Sequence, residues 1–596
     1  MLSCLNKPKT STLPAAGKFC MLLFLVSLVP AMILFPWIVH VWVDVPFHDD
    51  WGTPGHQLVL LCQGKFALGQ MFAQHNESRP FFPRLIFIPL AWFGGWDVRR
   101  VMCATFAMVC VVSLLLHGLV RRLPAVKRGG ILAMSLVMNL VLFWPNSEIW
   151  TYANAFMLVW PPVALLYALH VNLSGMSLRE KVLWNSLLAT VATWSWSNGM
   201  VLWLLAVPVP GAALLMQTGG GEQDKKRMRW YAVYAAAGIA NLLFYFHGYR
   251  RPSDSPPFSW DPVKLARYFF TWAGAFFGDE KKALCLGVVV SLLFLALACV
   301  CLGLAFKKRD FTGSYPWLAL GLYAVASGAV ASMGRSGFGE SQAMSPRYTA
   351  ASGYLYIAVA GLGWLAWSSL CERFSPDRRL LTPLLRIIPV IAGLLCIPQV
   401  FQSYWNGRQT LKNIGEHRKA FLTAWQWSKA LPGNPALALL LPNTGILNAF
   451  GSELESHHIL RLIRWEPGIM AHWSYNGKAT DTSNGVFSGC AVVAGEWLAV
   501  SGWSSQRDGT GAADYVLLTV CEAGSVPHPW TMLPTDLDSA DVSTALKNER
   551  MTHSAFRTVL PMEGLPKGRL TVAAWAVDVK QGAIRPLART FAVEVR

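Results

Sequence analysis

The sequence predicts a polytopic α-helical membrane protein of about eleven transmembrane helices that ends in an extracytoplasmic β-rich, sandwich-like domain. Three observations lead there. Apolar runs of about 18 or more residues recur along the first two-thirds of the chain, the length a helix needs to cross a bilayer. Of 596 residues, 54% are hydrophobic, 27 are Trp and only 14% are charged, where a soluble domain carries roughly a quarter charged. From about Asn484 onward the long apolar runs give way to short β-rich ones separated by turn residues.

Taken in order, residues 1–18 form a cytoplasmic N-terminus carrying Lys7, Lys9 and Lys18. The run at about 19–43 is too long for a signal-peptide core and lacks a small-residue cleavage site, so it reads as an uncleaved first span. Further spans are expected at roughly 99–120, 130–145, 155–172, 182–197, 199–216, 230–247, 284–306, 315–333, 351–370 and 383–403. The pair at 182–216 reads either as two short helices or as one long one. Residues 19–403 therefore make a transmembrane domain with a first outer loop at 44–98. Residues 404–483 make an extracytoplasmic α/β connector, in which "GRQTLKNIGEHRKAFLTAWQWSKAL" has helical periodicity and "PALALLLP" reads as a short strand. Residues 484–596 hold the β-rich runs "EWLAVSGW", "DYVLLTVC", "RLTVAAWAVDV" and "RTFAVEV".

The net charge of +18 would suggest nucleic acid in a soluble protein. Here it concentrates in short loops, at Arg121, Arg122, Lys127 and Arg128, at Arg179 and Lys181, at Lys225, Lys226, Arg227 and Arg229, at Lys307, Lys308 and Arg309, and at Arg373, Arg378 and Arg379. The positive-inside rule puts these on the cytoplasmic face. An inside N-terminus and an odd number of spans then place the C-terminal domain outside. Arg99, Arg100, Arg250, Arg251, Lys281 and Lys282 break the pattern by falling on the outer side. Most of the 12 Cys lie within apolar spans, where Cys acts as a small hydrophobe. Cys490 and Cys521, if extracytoplasmic, have the redox setting in which a disulfide can form, and the sequence leaves open whether they pair.

Four polar clusters converge on the expected outer face. In "FHDDW", His48, Asp49 and Asp50 follow the first span, where carboxylates serve as a general base or a divalent-cation site. The alternative is a helix cap beside an interfacial Trp. The same loop holds "QHNESRPFFPRL", with His75, Glu77, Arg79 and Arg84. Between and after them, "HQLVLLCQGKFALGQMF" and "PRLIFIPLAWFGGW" read as interfacial helices. In "WPNSEIWTYANAF", Glu148, Tyr152 and Asn154 are costly beside lipid unless they face a polar cavity, the alternative being a turn in an aromatic belt. In "WSWSNGM", Asn198-Gly199 interrupts apolar sequence, either at a cavity or at a tight hairpin. In "GRSGFGESQAMSPRYTA", Arg335, Arg347 and Tyr348 sit at headgroup level, where the planar guanidinium suits a phosphate.

Several chemistries have no support. The chain shows no Walker loop, no dinucleotide-binding glycine motif, no H-E-x-x-H and no G-x-S-x-G elbow. Few ionisable residues lie within the spans, which argues against an ion-coupled transporter.

An inside N-terminus, one span, a long outer loop with early acidic residues, many further spans and a C-terminal outer domain resemble the GT-C superfamily of integral membrane glycosyltransferases. The resemblance covers the topology of residues 19–403. It implies a polyprenyl-phosphate-sugar donor and an extracytoplasmic glycan, lipid or protein acceptor, with the enzyme in the bacterial inner membrane. It places the catalytic Asp at Asp49 or Asp50 and likens "SPRY", with Arg347, to arginines that hold the lipid phosphate. A Mg or Mn ion at Asp49/Asp50 is an option, not a requirement. The sequence departs from the family where an Asp-Asp pair stands for the Asp-Glu pair of some members. A transporter or flippase of a lipid-linked substrate, and a non-catalytic carbohydrate-binding membrane protein using Trp497, Trp503 and Trp530, are the alternative readings.

Overall fold

The computed structural model describes residues 21–123, 128–145, 148–209, 221–253, 255–276, 280–374, 381–462, 464–470, 474–475, 482–506, 510–522 and 525–595. The expected cytoplasmic N-terminus with Lys7, Lys9 and Lys18, the second half of the 199–216 span, and Lys127, Arg378 and Arg379 lie outside the described residues.

The chain divides into two compact units. One comprises Met1–His40, Ala67–Ile86 and Val101–Thr410; the other comprises Val41–Phe66, Phe87–Arg100 and Leu411–Arg596. The first outer loop is thus shared between the units.

The first unit is helical. Its main elements are α1 (Val29–Val41), α2 (Val98–Val120), α3 (Arg128–Leu142), α4 (Phe156–Asn172), α5 (Leu178–Thr193), α6 (Gly221–Phe246), α7 (Pro262–Gly274), α8 (Glu280–Lys308), α9 (Tyr315–Arg335), α10 (Pro346–Phe374) and the start of α11 (Leu381–Gln426). Among the described residues, five helices are long and apolar enough to cross a membrane: Val98–Val120, Ala153–Asn172, Lys282–Lys308, Tyr315–Phe338 and Pro346–Glu372. A sixth is counted if Met21–Ser27 and α1, bent by 46°, act as one span. The sequence expected about eleven. The difference has physical causes: α3 and α5 have only 15 and 16 residues, and α6 begins with a charged turn and is diluted by Trp and Tyr. The expected span 383–403 is the first half of α11, whose 46 residues continue without a break past the expected boundary at 403/404.

Local chemistry fixes the helix ends. Ser177 and Glu180 form a reciprocal capping box at the start of α5, satisfying donors that the first turn leaves open. Lys181, expected as a solvent-facing topological charge, is buried, and its Nζ donates to the carbonyls of Asn172 (2.7 Å) and Val209 (3.1 Å). It closes the end of α4, where a helix presents unpaired carbonyls. α7 and α8 pack through Gly274 and Gly287: a Cβ on either would collide with the other helix's backbone. Small residues allow this approach, as they do between membrane helices.

The second unit holds the end of α11, short helices and a β-rich domain. "PALALLLP" forms the helix Ala436–Leu440 instead of the expected strand; Asn434 Oδ1 accepts the N–H of Ala436, and Ala and Leu favour that state. The first expected interfacial helix is broken into His56–Cys62 and a 3-10 turn at Leu68–Phe72, whereas the second forms as Phe81–Gly94.

Eight strands follow: β1 (Ser474–Tyr475), β2 (Gly485–Val493), β3 (Trp497–Ser504), β4 (Tyr515–Glu522), β5 (His528–Pro534), β6 (Ala555–Pro561), β7 (Gly568–Asp578) and β8 (Ala583–Val595). They form one hydrogen-bonded path, β5-β4-β7-β8-β2-β3-β6, with β1 paired to β8. Pairing is antiparallel except for β1 with β8 and the join of β2 to β8, which is a single parallel partner pair. The β-rich character is as expected, but the strands are continuous through that join. Trp427 and Leu431, which follow α11, pack with Leu517, Met532, Val577 and Ile584 in a core that covers β4, β5, β7 and β8. Trp530 belongs to the buried set, at 6% exposure, and is not an open sugar platform. Cys490 and Cys521 are both free thiols.

Candidate functional site

In the first unit, the turns that join the helices at one end gather polar residues from distant stretches. The turn before α4 brings Glu148, whose carboxylate lies 3.9 Å from Arg347 Nε at the start of α10. The Tyr348 carbonyl accepts the indole N–H of Trp272 from α7 (3.0 Å), which fixes the first turn of α10. Asn198, in the turn after α5, donates from Nδ2 to Tyr323 Oη (3.2 Å) and Ser327 Oγ (3.1 Å) on α9. Gly199 is required beside it, because any Cβ there would strike the Ala192 carbonyl.

These residues border a crevice. Trp144, Asn198, Phe276, Tyr323, Arg347 and Tyr354 line it, and aliphatic side chains of α2, α3, α4 and α10 complete its walls. It encloses about 50 Å³, and about 650 Å³ of empty space when its open mouth is counted. The result is an apolar cleft with one guanidinium and one carboxamide, the composition that suits an amphipathic anion.

A second polar group lies in the same unit. Arg335, at the end of α9, holds Glu77 at 2.5 Å. Ser255 Oγ donates to the same Glu77 oxygen (2.8 Å), and Tyr245 Oη donates to the Glu77 carbonyl (2.9 Å). Arg79 spans the carbonyls of Phe72 (2.9 Å) and His247 (2.8 Å). The His75 and Ser78 backbones pair reciprocally at 2.8 and 2.9 Å, a tight turn that presents Glu77. Arg84 is buried and donates to the carbonyls of Met71 and Ala73. Burial and the neighbouring Arg79 charge lower its pKa to about 9, so it stays a cation at neutral pH and ties the 67–86 segment together.

Of the expected site residues, Glu148, Asn198 and Arg347 thus meet at or beside the crevice, and Glu77, Arg79 and Arg335 form the second group. Tyr152 and Asn154 are buried in the turn before α4, at 5% and 3% exposure, and do not line the crevice. Tyr348 contributes its carbonyl. Sequence reasoning missed Tyr323, Ser327 and Tyr245, because nothing local in the sequence marks a polar group on an otherwise apolar helix as facing a partner, and it missed Ser255, one of several serines in a loop.

The early acidic cluster belongs to the second unit. His48 has a left-handed backbone (φ 46°) and its N–H donates to the Leu440 carbonyl at 2.8 Å. Asp50 is only 2% exposed, and its Oδ2 accepts the N–H of Phe47 at 2.9 Å. That bond closes a local turn. Trp51, also buried, packs between Trp96 and Trp425. Asp49 is half-buried, the more accessible of the pair.

Two further acids stand near the same segment in the second unit. Asp44 Oδ1 accepts the N–H of Val98 (3.1 Å), while Asp97 is gripped by Arg99 Nε and Nη2 at 2.9 and 2.8 Å. Burial, then the Asp97 charge, raises the Asp44 pKa to about 6. Burial alone would also raise Asp97, but the bidentate Arg99 outweighs it and holds that carboxyl below its usual range. The pair uses the Arg99 charge locally. Asp44 is the first acid after the first apolar run, a signal available in the sequence. Among the described residues, no group of three or more His, Cys, Asp or Glu is placed to hold a metal ion.

No protein-family model matches the chain, and neither the curated proteins nor the solved structures yield a match.

Proposed function

We propose that the protein is a membrane glycosyltransferase that moves a sugar from a polyprenyl-phosphate donor to an extracytoplasmic acceptor. The observation that carries this reading is the crevice, where three polar segments remote in sequence converge on an apolar cleft. The lipid phosphate would lie against Arg347 and the first isoprenoid units against the aromatic and aliphatic walls. Asn198, held by Tyr323 and Ser327, would offer its amide oxygen to a sugar hydroxyl.

The reaction breaks the bond between the sugar anomeric carbon and the phosphate oxygen, while an acceptor hydroxyl or amine attacks that carbon. In such a reaction a carboxylate takes the acceptor proton, and a guanidinium stabilises the departing phosphate. The role of base falls to Asp49 or Asp50 by sequence position. Accessibility favours Asp49, and Asp44, with a pKa near the operating pH, joins them as a candidate. A bound divalent cation, where required, would supply further charge stabilisation at Asp49/Asp50.

The test uses purified full-length protein offered a panel of polyprenyl-phosphate sugars together with candidate glycan, lipid and protein acceptors, with release of polyprenyl phosphate and labelling of acceptor as readouts. Wild type, Asp44→Asn, Asp49→Asn, Asp50→Asn and Arg347→Gln are compared, with and without EDTA. Turnover abolished by one Asp→Asn variant that folds normally names the base. Equal turnover by all the variants removes these residues from the mechanism. Movement of an intact lipid-linked sugar across proteoliposomes without bond cleavage would replace the transferase with a flippase.

A further inference from the structure

At the opposite end of the first unit's helices from the crevice lies a second cavity. It encloses about 210 Å³ and is lined by Arg122 after α2, by Cys301, Leu304, Ala305 and Lys308 of α8, by Leu365 and Ser369 of α10, and by residues 310–314 leading into α9. Its two halves differ in chemistry. Toward the helix bodies its wall is Cys301, Leu304, Ala305 and Leu365. Toward the ends it is Arg122, Lys308, Asp310, Thr312, Gly313, Ser314 and Ser369.

The polar half is built for an anion. Arg122 is held in place because its Nη1 donates to the Leu173 carbonyl (3.0 Å), one of the guanidinium's five donors, leaving others for a ligand. Lys308 Nζ lies 3.4 Å from Glu372 on an exposed pair, which screens it little from a ligand. The Asp310 carboxylate keeps its negative charge there, with Oδ1 turned to the N–H and hydroxyl of Thr312 (2.8 and 2.6 Å). The first turn of the 21-residue α9 opens at this rim and presents its positive dipole end; Pro316 has no N–H there, and the N–H groups of Ser314 and Tyr315 are taken by the Phe311 carbonyl. Around the cavity Arg121, Lys307 and Arg309 are exposed, so cations outnumber carboxylates.

We infer that this cavity binds the phosphate headgroup of an acidic phospholipid, with the start of an acyl chain against Leu304, Ala305 and Leu365. A basic, polar mouth on an apolar throat between helix ends is the recognition chemistry of such lipids. Free phosphate shares the headgroup chemistry but leaves the apolar throat unused, which is why the lipid is favoured. The site is separate from the crevice and stands whether or not the glycosyltransferase reading holds.

The experiment measures the thermal midpoint of the purified full-length protein in detergent with added phosphatidylglycerol, phosphatidylcholine or inorganic phosphate, alongside native mass spectrometry of retained lipid. Phosphatidylglycerol is expected to raise the midpoint of wild type by several degrees and to be retained, with phosphatidylcholine doing neither. Arg122→Gln/Lys308→Gln should lose most of that increment, and so should Ser369→Phe, which fills the polar mouth and leaves every charge in place. Lys307→Gln/Arg309→Gln, on the rim, should keep it. Because the readout is the lipid-dependent increment, a lower starting midpoint in any variant does not obscure it. Equal loss in the rim variant, or no loss with Ser369→Phe, would overturn the site in favour of diffuse surface attraction. An equal increment from inorganic phosphate would overturn the lipid in favour of a free anion.

Discussion

The two units manage charge in different ways. In the first, ion pairs join stretches far apart in sequence: Glu77 with Arg335, and Glu148 with Arg347. In the second, the charges of the early loop and of the 455–464 stretch serve nearby partners: Asp50 closes a turn on Phe47, Arg99 grips Asp97, and Arg464 clasps Glu455 bidentately at 2.6 Å while stacking on Trp425, and the long-range pairs, Lys412 with Asp538 and Lys419 with Asp536, lie apart from them. A short-range pair stiffens a loop. A long-range pair at helix ends also fixes which ends meet, and so shapes whatever cleft lies there. The difference teaches that the density of charged residues in a sequence window is a poor guide to a site: the Asp-Asp pair that dominates the first loop includes one carboxylate spent on a turn, while the isolated Arg347 borders a cleft.

The sharpest way to break this comparison is by activity. If the proposed chemistry holds, Arg347→Gln should lower turnover about 100-fold, as removal of one stabilising donor does. Asp49→Asn should lower it by about 10²–10⁴, while Asp50→Asn should act mainly through stability, seen as a lower thermal midpoint with turnover per folded molecule retained. An Asp50→Asn protein of normal midpoint and no turnover would reverse the assignment.

The next effect tests the second unit. Arg464→Met leaves the Glu455 carboxylate without its bidentate partner beside a buried Trp, and should destabilise that unit by about 3 kcal/mol in denaturant unfolding. Loss under about 1 kcal/mol would mean that the pair is as weak as an exposed one.

A smaller effect follows from Asp44. Its folded-state pKa of about 6 exceeds the ordinary 3.8, so the folded protein holds that proton more tightly than the unfolded chain. Its contribution is therefore most favourable below about 3.8 and is lost as pH rises through about 6. Asp97, shifted the other way, acts below that window. Asp44→Asn should flatten the stability profile between about pH 4 and 6 by about 1–2 kcal/mol, and an unchanged slope would remove Asp44 as its source. The smallest effect is the Glu77–Arg335 coupling. Both side chains are about a quarter to a third exposed, so a double-mutant cycle should return about 1 kcal/mol; a value near zero would make the long-range pair a passive contact.

Much of this was legible in the sequence. Long apolar runs can be little but helices, and the positions of α2, α4, α8, α9 and α10 follow from them because a 3.6-residue repeat is not needed when every face is apolar. The β-runs near 497, 515, 568 and 589 read correctly because β-branched and aromatic residues alternate between turn residues. "PALALLLP" misled because a short apolar run has no period with which to tell strand from helix. Among the described residues five or six helices reach spanning length, against about eleven expected, because hydropathy alone passes over the length of α3 and α5.

What the sequence by itself determined is the class of element: where the chain is apolar enough to be helical, where it turns β-rich, and which turns carry His, Asp, Glu, Arg and Asn. Those are properties of composition and local spacing. Only the tertiary structure decided that Arg347 faces Glu148, that Asn198 reaches Tyr323 and Ser327, that Lys181 is a buried helix-end clamp, and that Asp50 closes a turn. Each depends on which helix ends or loops come together. That is set by packing contacts such as Gly274 against α8, and those contacts join residues whose separation along the chain carries no periodic trace.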